Sequence, residues 1–298
     1  MAVSYLNDDF FSRLETLALN LRADLAGFFG GKHFVKTYGQ TVEFADYREY
    51  VLGDDLRRID WNLFSRFEKF FIKLFTDERQ MHIQIMLDCS ASMGRVNPQK
   101  SAYSVGVAAA LGFLAVHNTD KLSFNLIKGG AAQNPYGTIV GKNSFFRAIR
   151  GLEDIDFNGE CDLASAILNS ETGSNDGLTV IISDFFTESD WKKAIDYLCF
   201  KKRQVLLVQV LTPEEVDPTY DGRVHMVDAE AETDMDERNM KLRITRGMLN
   251  AYAQALADYQ DELRSFCHSR GAEFISVVTD RPIENVLFEE LLKVGIME

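Results

Sequence analysis

Asp88, Ser90 and Ser92 stand on alternate positions of the pentapeptide Asp88-Cys89-Ser90-Ala91-Ser92. The short apolar run His82 to Leu87 precedes them and predicts a strand. In a turn after a strand, alternate side chains can face one point. One carboxylate and two hydroxyls are hard oxygen donors, the kind Mg²⁺ takes while keeping several waters. Such a set neutralises a divalent ion only in part, so an acidic side chain of another protein would complete its shell. Asp184 closes a second apolar run, Leu178 to Ser183, and is a candidate to join the same point. The bland alternative is that Ser90 and Ser92 only cap the following helix.

Bringing positions 88 and 184 together is a task for a sheet. Apolar periodicity predicts helices over 8–27 (stopped by Gly30-Gly31), 99–117, 143–152, 162–170, 188–200, 246–270 and 283–293. Strands are predicted over 70–75, 82–87, 122–127, 178–183, 205–211 and 273–278, with a β excursion within 223–245. Near-continuous apolar strands joined by helices imply an α/β fold with a doubly wound, mostly parallel sheet covered on both faces. Ala108, Ala109, Ala110 and Gly112 suit close packing of the 99–117 helix. Ligands of such sheets bind outside the carboxyl ends of the strands, where Asp88 and Asp184 both fall. The change of pattern near 81 divides the chain into an N-terminal helix and strand extension, 1–80, packed on a main domain, 81–298.

The Asp-Cys-Ser-Ala-Ser element resembles the Asp-x-Ser-x-Ser element of the metal-ion-dependent adhesion site in von Willebrand factor A domains. The resemblance implies a Thr from a second loop and an Asp from a third. Asp184, in Ile-Ser-Asp-Phe, matches the third-loop Asp. The second loop, commonly Gly-x-Thr-x-Leu, corresponds to Gly159-Glu160-Cys161-Asp162-Leu163, so Cys161 stands in place of the Thr. A thiol is a soft ligand and a poor partner for Mg²⁺. Water, Asp162 or Glu160 fills the gap, a softer ion is favoured, or metal binding is weakened or lost. The candidate metal set is therefore Asp88, Ser90, Ser92, Asp184, Cys161 and Asp162, for Mg²⁺ or another divalent cation.

The stretch Phe44 to Arg66, FADYREYVLGDDLRRIDWNLFSR, resembles the bacterial domain of unknown function 58 family, in which such a block precedes a von Willebrand factor A-like domain. That resemblance implies a non-enzymatic adaptor or co-chaperone, with a MoxR-type AAA+ ATPase and a client protein as partners. On physical grounds, Asp54, Asp55, Arg57, Arg58, Asp60 and Arg66 alternate in sign, which suits an ion-pair network locking the N-terminal layer to the main domain. Trp61 offers a large apolar surface whose indole N–H needs a partner if buried. A partner-binding surface is the other use of this block.

Composition narrows the remaining classes. A net charge of −13 and a pI of about 4.9 argue against nucleic-acid binding and suit a soluble protein that attracts cations or basic surfaces. The four cysteines, Cys89, Cys161, Cys199 and Cys267, form no CxxC pair, so buried reduced thiols are expected. The N-terminus lacks the pattern of a signal peptide, and the apolar run Val105 to Val116 is too short to span a bilayer. A cytoplasmic protein without a transmembrane segment is expected. No P-loop, dinucleotide fingerprint or GxSxG elbow is present, and the histidines lack metal-ligand spacing. The acidic run Asp228 to Glu237 lacks EF-hand spacing and reads as a solvated loop. Two alternatives to the adaptor remain: a metal-dependent hydrolase of phosphoester or peptide bonds, and a metal-free scaffold whose site has decayed at Cys161.

Overall fold

The computed structural model describes residues 6–21, 42–51, 54–77, 80–95, 97–170, 177–220, 222–226 and 240–296. The chain forms two compact units, one of Gly31–Gln80 and one of Met1–Gly30 with Met81–Glu298. Helix α1 (Asp8–Leu21) thus belongs with the larger unit. Phe10 and Leu14 are buried in that unit's core, and Phe11 rests its ring on Phe113 and Phe145. The expected 1–80 extension therefore divides, because the apolar face of α1 is a core element. The rest of the predicted 8–27 helix, and its Gly30-Gly31 stop, lie outside the described residues.

In the smaller unit, β1 (Val42–Glu49) pairs antiparallel with β2 (Phe71–Asp77). A 3-10 turn (Leu56–Arg58) and helix α2 (Trp61–Phe67) connect them. The acids of the block serve this local chain path. Asp55 accepts from Arg57 N, and Asp60 caps α2 by accepting from Asn62 N and Leu63 N. Asp54 accepts from Val51 N and pairs with Arg48 at 2.8 Å. Trp61 is 63% exposed, edge-on to Phe64 and Phe70, so its indole faces no burial demand.

The larger unit is built on a six-stranded sheet in the order β10-β7-β6-β3-β4-β5. Its strands are β3 (His82–Asp88), β4 (Lys121–Lys128), β5 (Ala131–Gln133), β6 (Leu178–Ser183), β7 (Gln204–Leu211) and β10 (Glu273–Val278). All neighbours pair in parallel except β5, which runs antiparallel to β4. Side-chain alternation splits the core into two layers. Ile83, Ile85 and Leu87 face one cluster and Met86 the other; Val180 and Ile182 oppose Ile181 likewise. Helices α3 (Pro98–His117), α4 (Lys142–Leu152) and α9 (Ile283–Ile296) supply the first layer. Helices α5 (Leu163–Asn169), α6 (Trp191–Phe200) and α8 (Arg246–Ser269) supply the second. Gly112 is required by this packing, since a Cβ there would lie 2.9 Å from Phe124 Cζ. A short helix α7 (Pro213–Val216) follows β7. The expected β excursion is a hairpin-like pair, β8 (Gly222–Met226) antiparallel to β9 (Met240–Ile244); the acidic run between them lies outside the described residues.

The strand order places the switch of winding direction at β3. From β3 the chain crosses to β4 on one side, whereas from β6, the other neighbour, it moves away to β7. The two exits diverge and leave a crevice at the carboxyl ends of β3 and β6.

Candidate functional site

Strand β3 ends on Asp88, which is 2% exposed. Its Oδ1 accepts from Ser90 N at 2.9 Å and its Oδ2 from Ser183 Oγ at 2.6 Å. The latter bond ties the β3 exit to the β6 exit across 95 positions of sequence. Ser90 Oγ and Ser92 Oγ lie 3.1 Å apart. Neighbouring backbone fixes the loop: Cys89 N donates to Ile127 O, Ala91 N to Gly159 O, and Asn158 N to Cys89 O. Gly94 closes it against Phe157, whose Cβ would stand 2.6 Å from a Cβ at position 94.

Asp184, also 2% exposed, follows β6. Its Oδ1 accepts from Phe186 N at 2.9 Å. Phe185 between them is left-handed, with φ of 60°, a conformation that costs a bulky residue about 1–3 kcal/mol. Three restraints hold it there. Its ring is buried, its N–H donates to Ser183 Oγ, and its carbonyl accepts from Tyr259 OH at 2.6 Å. The strained residue thereby sets the direction of the turn that carries Asp184.

Sequence reasoning missed two members of the cluster. Lys100, in the first turn of α3, is fully buried, and its Nζ lies 2.8 Å from Asp184 Oδ2 and 2.7 Å from Glu215 Oε1. Glu215 Oε2 accepts from Thr212 N, completing a capping box at the start of α7. The Thr212-x-x-Glu215 spacing after a strand was the signal available for Glu215. For Lys100 the signal was only a basic residue opening an otherwise apolar helix.

Burial raises the Asp88 carboxyl above its ordinary range, and the charge of Asp184 raises it further, against the bonds from Ser183 and Ser90. For Lys100, burial pushes the ammonium down, but Asp184 and Glu215 together outweigh it and hold it above the ordinary lysine range. Two carboxylates, Asp184 and Glu215, thus meet one ammonium.

Of the sequence candidates, Asp88, Ser90, Ser92 and Asp184 are gathered at the crevice. Cys161 is buried in the second core layer, and its carbonyl accepts from Thr187 Oγ1 at 2.8 Å. Asp162 caps α5. Its carboxylate accepts from Ser165 Oγ at 2.5 Å, Ser165 N at 3.1 Å and Ser189 Oγ at 2.7 Å, and these bonds lower its pKa. Among the described residues no three His, Cys, Asp or Glu side chains are grouped to hold a metal by themselves. A cation here would depend on the hydroxyls of Ser90 and Ser92. Carboxylate and hydroxyl oxygens beside surplus buried negative charge fit a small hard ion; the Cys161 thiol does not. An open cleft of about 420 Å³, lined by Arg95, Asp156 and Asn158 among others, adjoins the loop. Among the described residues no helix is long and apolar enough to cross a membrane.

A doubly wound sheet of this order, with Asp-x-Ser-x-Ser closing the strand at its switch point, is a von Willebrand factor A-like domain. The chain belongs to the family described as "Protein of unknown function DUF58", which matches residues 46–259 and so spans both units. An uncharacterized protein of Mycobacterium tuberculosis is 28% identical over 274 residues, covering 90% of this chain and 84% of that protein. An uncharacterized protein of Mycobacterium bovis shows the same identity and coverage. Among solved structures, the chain is similar to the conserved hypothetical protein BatB from Bacteroides thetaiotaomicron, with TM-score 0.42 and 17% identity over 73% of this chain and 100% of that one. It is also similar to proximal thread matrix protein 1 from the mussel byssus with a zinc-occupied MIDAS motif, with TM-score 0.38 and 10% identity over 72% of this chain and 46% of that one.

Proposed function

We propose that the chain is a non-enzymatic, cytoplasmic protein-interaction module whose contact surface is the carboxyl edge of the sheet. In this reading Asp88, Ser90, Ser92 and Asp184 hold a divalent cation such as Mg²⁺. When bound, the cation supplies an open coordination position for an acidic side chain of the partner. The observation that carries the reading is the meeting of buried Asp88 and Asp184 beside two serine hydroxyls at the open end of the sheet. Burying like charges costs several kcal/mol unless a counter-charge accompanies them. Ser183 and the Ser90 N–H orient Asp88, and Phe185 orients Asp184. Phe186, 43% exposed, and the cleft beside Gly94 offer contact area around the anchor.

The partners we propose are a MoxR-type AAA+ ATPase and its client protein. This part rests on the family resemblance of the Phe44–Arg66 block. The smaller unit carries exposed Leu56, Trp61 and Phe67, a surface available to a second partner. A metal-free scaffold is the reading favoured by Cys161, which puts a soft thiol where the second loop would supply a hydroxyl. We hold hydrolase chemistry as the weaker reading, because in the described cluster the carboxylates accept from Ser183, Ser90, Phe186 and Lys100 and serve first to build the strand exits.

The test is titration calorimetry of Mg²⁺, Mn²⁺ and Ca²⁺ into chelator-treated protein, with Asp88→Ala as the comparison. Binding that is lost in the variant supports the cation site. Wild-type protein that binds none of the three ions refutes it and leaves the scaffold reading.

A further inference from the structure

The chemistry of the cluster is unequal on its two sides. Asp88 is served by hydroxyl and amide donors only, whereas Asp184 already holds an internal cation. Lys100 is fully buried and its ammonium bridges Asp184 Oδ2 and Glu215 Oε1, from positions 84 and 115 residues distant in sequence. A lysine buried at a site that would take a divalent ion places a fixed positive charge beside that ion. Like charges at such range repel strongly in a poorly solvated setting.

We propose that Lys100 is a built-in competitor of the divalent cation at the strand-end site: its ammonium neutralises Asp184 and Glu215 when no ion is present and weakens the site for ions when they arrive. The inference rests on the cation reading above and deepens it. It makes the site a weak one by construction, filled best when a partner's acidic side chain arrives with the ion and adds negative charge. Glu215 is the element that relieves the competition. Its side chain is 31% exposed and anchored by the capping box, and it shares the ammonium with Asp184.

The experiment uses the full chain and Mn²⁺ alone, followed by calorimetry. Lys100→Met keeps the apolar stem and removes the charge; it is expected to bind Mn²⁺ at least about tenfold more tightly than wild type. Its melting temperature in chelator is expected to fall below that of wild type and to rise more on adding Mn²⁺. Glu215→Gln, a partly exposed change that leaves the charge of Lys100 with Asp184 alone, is expected to weaken Mn²⁺ binding about threefold or more. If Lys100→Met does not fold, Glu215→Gln decides, and unchanged affinity there overturns the proposal. Wild type and Lys100→Met binding with equal affinity, both dependent on Asp88, would overturn the competition and leave the cation site standing. No binding by either would overturn both. Binding by Lys100→Met alone supports the competition and removes the cation from the wild-type function.

Discussion

The Lys100–Asp184 pair gives the most exacting stability prediction. Lys100 is 0% exposed at its side chain and Asp184 3%, with 2.8 Å between Nζ and Oδ2. Removing one member of a buried pair strands the other and costs about 3–5 kcal/mol. Lys100→Met strands chiefly Asp184, because Glu215 retains access to water. Replacing Asp184 by Asn in the same chain removes the stranded charge, and the new amide oxygen can still accept from Phe186 N. The remaining loss is then a hydrogen bond or two and imperfect packing, about 1–2 kcal/mol. The double variant should accordingly be more stable than Lys100→Met alone, by about 2 kcal/mol. Urea unfolding followed by Trp191 fluorescence reads this directly, since Trp191 is buried in the larger unit. Replacing Trp61 by Phe in every variant silences the smaller unit. As an internal comparison, the Lys142–Glu15 pair has side chains 49% and 50% exposed, so Lys142→Met should leave stability nearly unchanged. Additive losses in the double variant, or a double variant weaker than Lys100→Met, would refute the view that a stranded buried charge dominates.

Two further variants test other parts of the fold and site. Asp120 is buried at the α3–β4 corner with Oδ1 accepting from Met81 N at 2.8 Å, and burial lifts its pKa from 3.8 to about 6. A raised carboxyl favours the folded state below about pH 4 and loses that advantage as pH climbs through 6. Asp120→Asn keeps the acceptor without the charge, so in urea unfolding it should be more stable than wild type at pH 7.5 and no more stable at pH 3.5; a pH-independent difference would count against the assignment. Cys161→Thr should raise Mg²⁺ affinity in calorimetry by supplying the missing second-loop hydroxyl, and unchanged affinity would show that position 161 lies outside the donor set.

Much of the larger unit was legible because its strands are buried on both faces and therefore written as unbroken apolar runs. Leu178–Ser183 and Glu273–Val278 match their predicted limits, and the helices around them differ by a few residues at their ends. The short β5 and the strand β1 were not read. Ala131–Gln133 is an exposed edge of three residues, and Val42–Glu49 carries a register shift between Phe44 and Asp46 that breaks alternation. In the charged block the alternating signs suggest ion pairs, of which Arg48–Asp54 is one; the capping by Asp55 and Asp60 was not read, because it depends on backbone turns that charge order does not encode.

The candidate site was legible to the extent that its members sit at strand ends. Asp88 and Asp184 could be placed together because two parallel neighbours deliver their carboxyl ends to one edge, whatever separates them in sequence. Lys100 obeys no such rule. It enters from a helix, and only the three-dimensional path of α3 across the sheet brings its amine onto the β6 exit. On the proposed reading its effect matters as a donor's does, because the charge a buried cluster can accept depends on the charges already in it. A strand-end motif therefore predicts where a cation would be held, while on the reading proposed above the affinity of that place is set by a lysine and a glutamate that the motif does not contain.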